Sequence, residues 1–404
     1  MKVYFERYGC TLNKGETDVI EEVAINRGYN VVNKPECADR IVLSTCAVIE
    51  TTERHMLKRV KELSSLNKEL FVTGCLARYR SEEIEKYENA HAIKDIDVEK
   101  LLRESSSTKN ATKEFHIANL PISKGCTGNC SYCVTRIIKG KLKSYDIDLL
   151  TEKARDFIEK GAKEIRITSQ DNGCYGFDRG RGTLPELINR ISSIHGDFRI
   201  RVGMMTPNNF AKIESDLLNS YENEKVYKFL HLPIQSGDDN ILKAMGRKYT
   251  VSKYTEMVER FREEFDDLML STDVIVGFPG ESDENFMKTY KVIERIRPNI
   301  VNITRFSPRK GTDAAEMSNK IIGRTCKHRS RMLTQLAREI GLEMNKKWVG
   351  KEMEVMIVES GKNGSVVGRS NSYRPVVIKD RLPLGSFVKT KIVDATSTYL
   401  IGVG

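Results

Sequence analysis

The sequence lacks any uninterrupted apolar run approaching the ~18 residues that a membrane-crossing helix requires. Its first residues, MKVYFERYGC, do not form the apolar core of a secretion signal, because Glu6 and Arg7 interrupt them. Both absences point to a cytoplasmic chain with no membrane partner. There is no tandem repeat. There is also no low-complexity tract apart from the Ser/Thr/Lys-rich stretch ESSSTKNATKE at 104–114, which reads as a linker. A reducing compartment disfavours structural disulfides, so nine cysteines argue for metal or redox chemistry. Lys and Arg (66) exceed Asp and Glu (56) to give a net charge of +10, which suits a polyanion such as nucleic acid without demanding one.

A chain of 404 residues has room for about two to four domains, each with its own core. Over 1–103, the strand-like segments KVYFERY, RIVLST and ELFVTG alternate with helix-like ones. In GETDVIEEVAINRG, for example, Val19, Ile20, Val23 and Ala24 recur at helical spacing. This βα repeat predicts an open, mostly parallel α/β sheet. Residues 115–344 hold six strand candidates, FHIANLPI, KEIRITS, FRIRVGMM, VYKFLHLPI, LMLSTDVIVG and NIVNITRFS, separated by helical stretches. They predict a full or partial (β/α) barrel with its active face at the strand C-terminal ends, although an open doubly wound sheet has the same one-dimensional pattern. The stretch 318–348 is expected to be a basic helix. Over 345–404 the period becomes two, in MEVMIV, SVVGRS, RPVVIK, SFVKTKIV and YLIGV, which predicts a small all-β barrel. Beside a Lys/Arg-rich helix, this module is expected to grip RNA phosphates and deliver the RNA to the mouth of the preceding barrel.

KGCTGNCSYC, residues 124–133, places Cys126, Cys130 and Cys133 within eight positions and supplies no fourth cysteine. Zinc and ordinary iron–sulfur sites usually take four protein ligands, and the nearest histidine, His116, lies on the preceding strand. The i, i+4, i+7 spacing also suits the buried face of a helix, but Gly125, Gly128 and Asn129 are poor helix residues. A loop is expected, with glycines letting backbone N–H groups turn toward sulfur. An iron–sulfur cluster with one open iron, a zinc site and a plain core remain the candidates. Cys10, Cys46 and Cys75 each stand just beyond the end of their own βα strand, at the edge where parallel sheets bind ligands. They are expected to meet on a shared metal or cluster, and three unrelated buried thiols is the alternative.

The C-x3-C-x2-C spacing after the first strand of a (β/α) series resembles the radical S-adenosylmethionine superfamily. The resemblance implies a 4Fe-4S cluster on Cys126, Cys130 and Cys133. Its open iron is chelated by the amino and carboxylate groups of S-adenosylmethionine, and its electron releases a 5′-deoxyadenosyl radical. RYGCTLNKGETD, STCAV, FVTGCLAR, TSQDNGCYG, HLPIQSGDD, TDVIVGFPGE and RFSPRKGT, in that order, are similar to the methylthiotransferase family over nearly the whole chain. That family's N-terminal cysteines imply a second 4Fe-4S cluster, here on Cys10, Cys46 and Cys75, that handles sulfur. Residues 345–404 are similar to its TRAM domain, an RNA-binding module. VTRIIKGKLKSY after Cys133, with RVGMMTP and RKGTDAA, looks like the archaeal and eukaryotic branch. This implies conversion of N6-threonylcarbamoyladenosine beside the tRNA anticodon to its 2-methylthio form. Isopentenyladenosine in tRNA and a ribosomal-protein aspartate are the alternative substrates. A non-catalytic, zinc-dependent RNA-binding protein is the alternative of another class. The chemistry is expected to rest on the two clusters, with tRNA, a sulfur donor and an electron donor as partners of a cytoplasmic monomer.

The same resemblance implies that the backbone of Tyr132 meets the cofactor's methionine end. Ser169, Gln170, Gln235 and Ser236 lie in strand-end loops and are expected to bond the cofactor's polar groups, or else simply to form turns. Cys37 and Cys326 are expected to be spare thiols, and Cys174, beyond a core strand, is expected to be either a spare thiol or a neighbour of the active site. His231 is expected either in the core or in a pocket wall.

Overall fold

A computed structural model describes residues 1–106 and 116–403. The N-terminal part holds a five-stranded parallel sheet in the order Asn30–Val32, Lys2–Arg7, Arg40–Thr45, Glu69–Gly74, Ala90–Ala92. The two outer strands have three residues each and carry no clear period-two signal, so the sequence pattern does not reveal them. Three of the residues expected in the linker are helical instead. Glu104–Ser106 form the last turn of a helix, Val98–Ser106, anchored by the buried Val98 and Leu102. Residues 107–114 lie outside the described part.

The middle of the chain is an incomplete parallel barrel of six strands in chain order. They are Ile117–Pro121, Glu164–Thr168, Arg199–Val202, Phe229–His231, Met269–Val276 and Ile300–Arg305. Three hydrogen-bonded strands form each half, and a parallel bridge between Ile200 and Val226 joins the halves. This is the partial barrel of the two alternatives, and its long core runs from Leu120 and Ile165 to Val274 and Leu336.

The helix Thr11–Asn26 is wedged between the N-terminal sheet and the barrel's first strand. A Cβ on Gly15 would stand 3.1 Å from Asn119 Cβ and Pro121 Cγ, so the helix approaches the strand as closely as a bare backbone allows. Buried on both sides, it carries carboxylates that must find partners. Glu16 pairs with Lys139 at 2.7 Å, and Glu22 with Lys153 at 2.7 Å and Lys160 at 2.8 Å. Arg7 takes Glu21 at 2.5 Å. The Glu16 and Glu22 pairs tie the N-terminal part to the barrel, whereas Arg7–Glu21 lies within the N-terminal part.

The C-terminal part is a closed barrel of five strands, Glu352–Ser360, Val366–Ser370, Pro375–Ile378, Leu400–Val403 and Phe387–Ala395. Its position was not part of the expectation. Tyr373 packs on Tyr227 and Phe229 with ring centroids 4.9 and 5.1 Å apart, and its hydroxyl donates to Glu164 at 3.2 Å. Lys228 N donates to Asn371 O at 2.9 Å, and Arg374 pairs with Asp267 at 3.0 Å. Glu164 and Phe229 begin their strands, and Asp267 just precedes Met269. The small barrel therefore covers the foot of the large one, at the opposite end from the cysteine loop. The apolar seam around Tyr373 sets this arrangement, and no one-dimensional pattern discloses it.

The helix Gly323–Lys346 spans from head to foot. Near its start Arg329 pairs with Glu281 at 2.7 Å, and near its end Asn345 Nδ2 donates to Thr396 O at 3.0 Å. Arg329 is thus a buried structural cation. Arg324, Lys327, Arg331 and Arg338 are exposed and make no ion pair among the described residues.

Candidate functional site

The three N-terminal cysteines stand at the ends of neighbouring strands. Cys10 caps the helix Thr11–Asn26 one short turn after Lys2–Arg7, Cys46 directly follows Arg40–Thr45, and Cys75 opens the helix Cys75–Tyr79 directly after Glu69–Gly74. Two glycines permit the convergence. At Gly74 (φ +85°) a Cβ would lie 2.3 Å from Thr45 O, and at Gly9 (φ +98°) 3.1 Å from Cys46 Cβ. Asn13 Nδ2 donates to Thr45 O at 2.7 Å and ties the first turn to the second. Cys75 is buried, Cys46 half-buried and Cys10 exposed, so the triad opens to solvent on one side. Burial pushes the Cys75 thiol up to about 11, against the pull of the Lys139 charge, and also raises Cys46. The cations near this triad come from the barrel part. Lys139 stands near Cys75 and Cys10, while Arg309 donates to Ala47 O at 2.7 Å and pairs with the buried Glu53.

Residues 125–134 form a loop, as the glycines predict, and not a helical face. Gly128 N donates to Cys126 Sγ at 3.1 Å and Thr135 N to Cys133 Sγ at 3.4 Å. A Cβ on Gly128 would sit 3.3 Å from Cys126 Sγ and 3.7 Å from Cys130 Sγ, crowding the space between the sulfurs. Ser131 pins the loop to the barrel through Met245 O (3.0 Å) and Ala244 O (2.8 Å), and Gly246 passes where a Cβ would be 2.8 Å from Asn129 O. The three cysteines share a cavity of about 400 Å³ with Gln170, Met204, Thr206, Gln235, Arg247 and Thr312.

The donor set fits an anionic cluster and a polar cofactor. Gln170 Oε1 and Arg247 Nε and Nη1 are buried without a partner in the protein. Arg247 keeps its charge against burial with the help of Tyr132, Tyr249 and Cys130, and its third nitrogen donates to Tyr132 Oη. Among the described residues, no three His, Cys, Asp or Glu side chains close on one point as a single metal ion requires.

The remaining sequence candidates separate. Gln170 and Gln235 line the cavity. Gln235 does so from a left-handed backbone (φ 67°) clamped by Asp273 O at 2.8 Å and Ile275 N at 3.0 Å. Tyr132 lines it too. Ser169 is not in the cavity wall, and its buried hydroxyl has no partner. Ser236 is fully buried and serves the turn before the helix Asp239–Ala244, accepting from Asp238 N at 3.3 Å and meeting Thr289 Oγ1 at 3.4 Å. Cys174 lies beside the cysteine loop: fully buried, it hydrogen-bonds Asp171 O at 3.1 Å and contacts the Cys126 thiol. His231 pairs with Asp273 at 3.1 Å, which Asn302 also contacts at 2.7 Å.

Two residues were not among the sequence's site candidates, and a third element, a motif quoted above only for its family likeness, gains a place here. Asp171, wholly buried, accepts from Thr206 N (3.0 Å), Thr206 Oγ1 (2.6 Å) and Asn209 Nδ2 (2.7 Å), and Asn209 reaches Thr127 of the cysteine loop at 3.0 Å. Its strand-end position in TSQD was the available signal. Arg247 had none, because only the fold brings it to the cavity. The third is the loop Arg305–Thr312, RFSPRKGT, which links both triads. Arg309 anchors it beside Cys46, Thr312 lines the cavity of Cys126, and just beyond it Ala314 N donates to Ser131 O at 2.8 Å.

Comparison with known proteins divides the chain the same way. The Radical SAM superfamily matches residues 120–293, the Uncharacterized protein family UPF0004 matches 2–94, and the TRAM domain matches 346–403. A protein of Archaeoglobus fulgidus named "Probable threonylcarbamoyladenosine tRNA methylthiotransferase" is 42% identical, over 100% of this chain and 98% of its own. One of Pyrococcus horikoshii with the same name is 40% identical over 100% and 99%. Among solved structures, the radical S-adenosylmethionine methyltransferase TsrM from Kitasatospora setae superposes with a TM-score of 0.57, covering 78% of this chain and 77% of that one. At 11% identity, this likeness concerns the fold alone.

Proposed function

The chain belongs to the threonylcarbamoyladenosine tRNA methylthiotransferase family of the radical S-adenosylmethionine superfamily, and from that premise we propose how its residues divide the work. The substrate is N6-threonylcarbamoyladenosine beside the tRNA anticodon, and the product carries a methylthio group in place of one hydrogen on the adenine ring. No side-chain acid or base removes such an unactivated hydrogen. A 4Fe-4S cluster with S-adenosylmethionine, when bound, supplies the radical chemistry that does.

Cys126, Cys130 and Cys133 would hold that cluster, with the N–H groups of Gly128 and Thr135 steadying two of the thiolates. Arg247 and Gln170 offer buried, unpartnered polar groups to the cofactor. Gln235 adds an amide at the wall, and Tyr132 orients Arg247. Asp171 and Asn209 brace the loop from behind through Thr127. Cys10, Cys46 and Cys75 would hold a second 4Fe-4S cluster that carries the sulfur to be attached, with Lys139 and Arg309 balancing its negative charge. A sulfur donor and an electron donor complete the partners of a cytoplasmic monomer.

The observation that carries this reading is the single loop Arg305–Thr312 that spans from one cysteine triad to the other in a chain matched end to end by its relatives. The test is mass spectrometry of tRNA nucleosides after incubation with anaerobically loaded enzyme and S-adenosylmethionine. Methylthiolated threonylcarbamoyladenosine is expected. Modification of isopentenyladenosine instead, or of a ribosomal-protein aspartate, would replace the substrate assignment.

A further inference from the structure

A second cleft opens at the head of the barrel, beside the cofactor cavity and distinct from it. It encloses about 480 Å³, a size suited to a small organic group. One wall is the stretch Ile49–Thr51, just past Cys46, and the other is the end of the strand Ile300–Arg305 with the residues that follow. The loop Arg305–Thr312 thus has one side on each cavity.

The lining has a definite character. Arg305 and Lys320 both face the cleft, are exposed, and have no hydrogen bond or ion pair from their side chains among the described residues. Ser307 adds a hydroxyl oxygen, buried and without a partner. The lining's one carboxylate, Glu50, is engaged with Arg54 at 3.7 Å. Ile49, Ile303 and Ile321 supply apolar surface between these groups. Such a site selects a small group that is partly apolar, has hydrogen-bonding capacity and ends in an anion.

The geometry points to this cleft as the receptor for the threonylcarbamoyl arm of the substrate base, with Arg305 and Lys320 binding the threonine carboxylate and Ser307 bonding the polar arm. This deepens the function proposed above and rests on it. The carboxylate is the feature by which threonylcarbamoyladenosine differs most from isopentenyladenosine, whose arm is neutral and wholly apolar. Arg305 and Lys320 would therefore be specificity determinants, since the carboxylate gains charge-assisted hydrogen bonds that a neutral arm cannot make. Arg305 presents the fork that matches a carboxylate, and Lys320 adds a point charge.

The test is equilibrium binding of the full, anaerobically loaded enzyme to three anticodon stem-loop RNAs. They carry the threonylcarbamoyl group, its carboxamide analogue, or unmodified adenosine. The wild type is expected to prefer carboxylate over carboxamide by roughly tenfold or more. In Arg305→Met with Lys320→Met, which keep the apolar stems, that preference should fall to near unity, with iron content unchanged. A wild type that does not distinguish carboxylate from carboxamide would overturn the assignment. So would variants that lose affinity equally for all three RNAs, because the two cations would then be contacting phosphate. Either result leaves the methylthiolation reading standing if the wild type still modifies threonylcarbamoyladenosine. If it modifies only isopentenyladenosine, that reading falls instead.

Discussion

Lys139 carries its charge into the seam between the N-terminal sheet and the barrel, where it meets Glu16 with both side chains only 9% exposed. Removing one partner of a buried pair leaves an uncompensated charge, so Lys139→Met should cost about 3–5 kcal/mol of stability. Adding Glu16→Gln should recover most of that loss. Denaturant unfolding of the metal-free proteins measures both, and an unchanged midpoint in the single variant would contradict the pairing. At this scale the sequence is uneven in what it discloses. The six cysteines of the two triads announce themselves by spacing and by position after strands. Lys139, Arg247 and Arg309 do not, because a lone basic residue looks the same whether it faces water or a buried carboxylate. Ser236 shows the opposite failing: it has a polar side chain at a strand end, yet the turn before its helix takes the hydroxyl for itself.

Among the elements, the strand-to-helix turns matter most. Gly74 holds φ +85° with Thr45 O where a Cβ would go. Gly74→Ala should lower stability by about 1–3 kcal/mol and displace Cys75. Iron content should then fall toward the level of the barrel cluster alone, while S-adenosylmethionine cleavage persists. Full iron occupancy in that variant would contradict the role given to this turn. The βα order and the six barrel strands were legible because hydrophobic periodicity survives in long strands. Asn30–Val32 and Ala90–Ala92 were not, being three residues at sheet edges. The long helix Gly323–Lys346 was legible as basic, but its division into a buried Arg329 and an exposed stripe needed the fold. Reversing two charges of that stripe, Arg331→Glu and Arg338→Glu, should weaken tRNA binding. It should also reduce the slope of log affinity against log salt by about two. An unchanged slope would remove the helix from the RNA path.

For the whole molecule, the consequence lies in which end each part occupies. The TRAM barrel closes the foot of the large barrel through Tyr373 and Arg374, while both cysteine triads lie at the head. An RNA held by the TRAM barrel and modified at the head must span the molecule, along the side that the basic helix follows. Intact tRNA should therefore bind more tightly than an isolated anticodon stem-loop and with a steeper salt dependence, because it gains phosphate contacts far from the modified base. Equal affinities and slopes would confine recognition to the head.

The central claim is that the two cysteine triads, joined by one loop, perform different halves of one reaction. It is tested most directly in the variant Cys10→Ala, Cys46→Ala, Cys75→Ala, assayed anaerobically with S-adenosylmethionine, a reductant and tRNA, by following cofactor cleavage and methylthio product in the same mixture. The account predicts continued cleavage, roughly half the iron of the wild type and no methylthiolated nucleoside. Full product formation by that variant would contradict it.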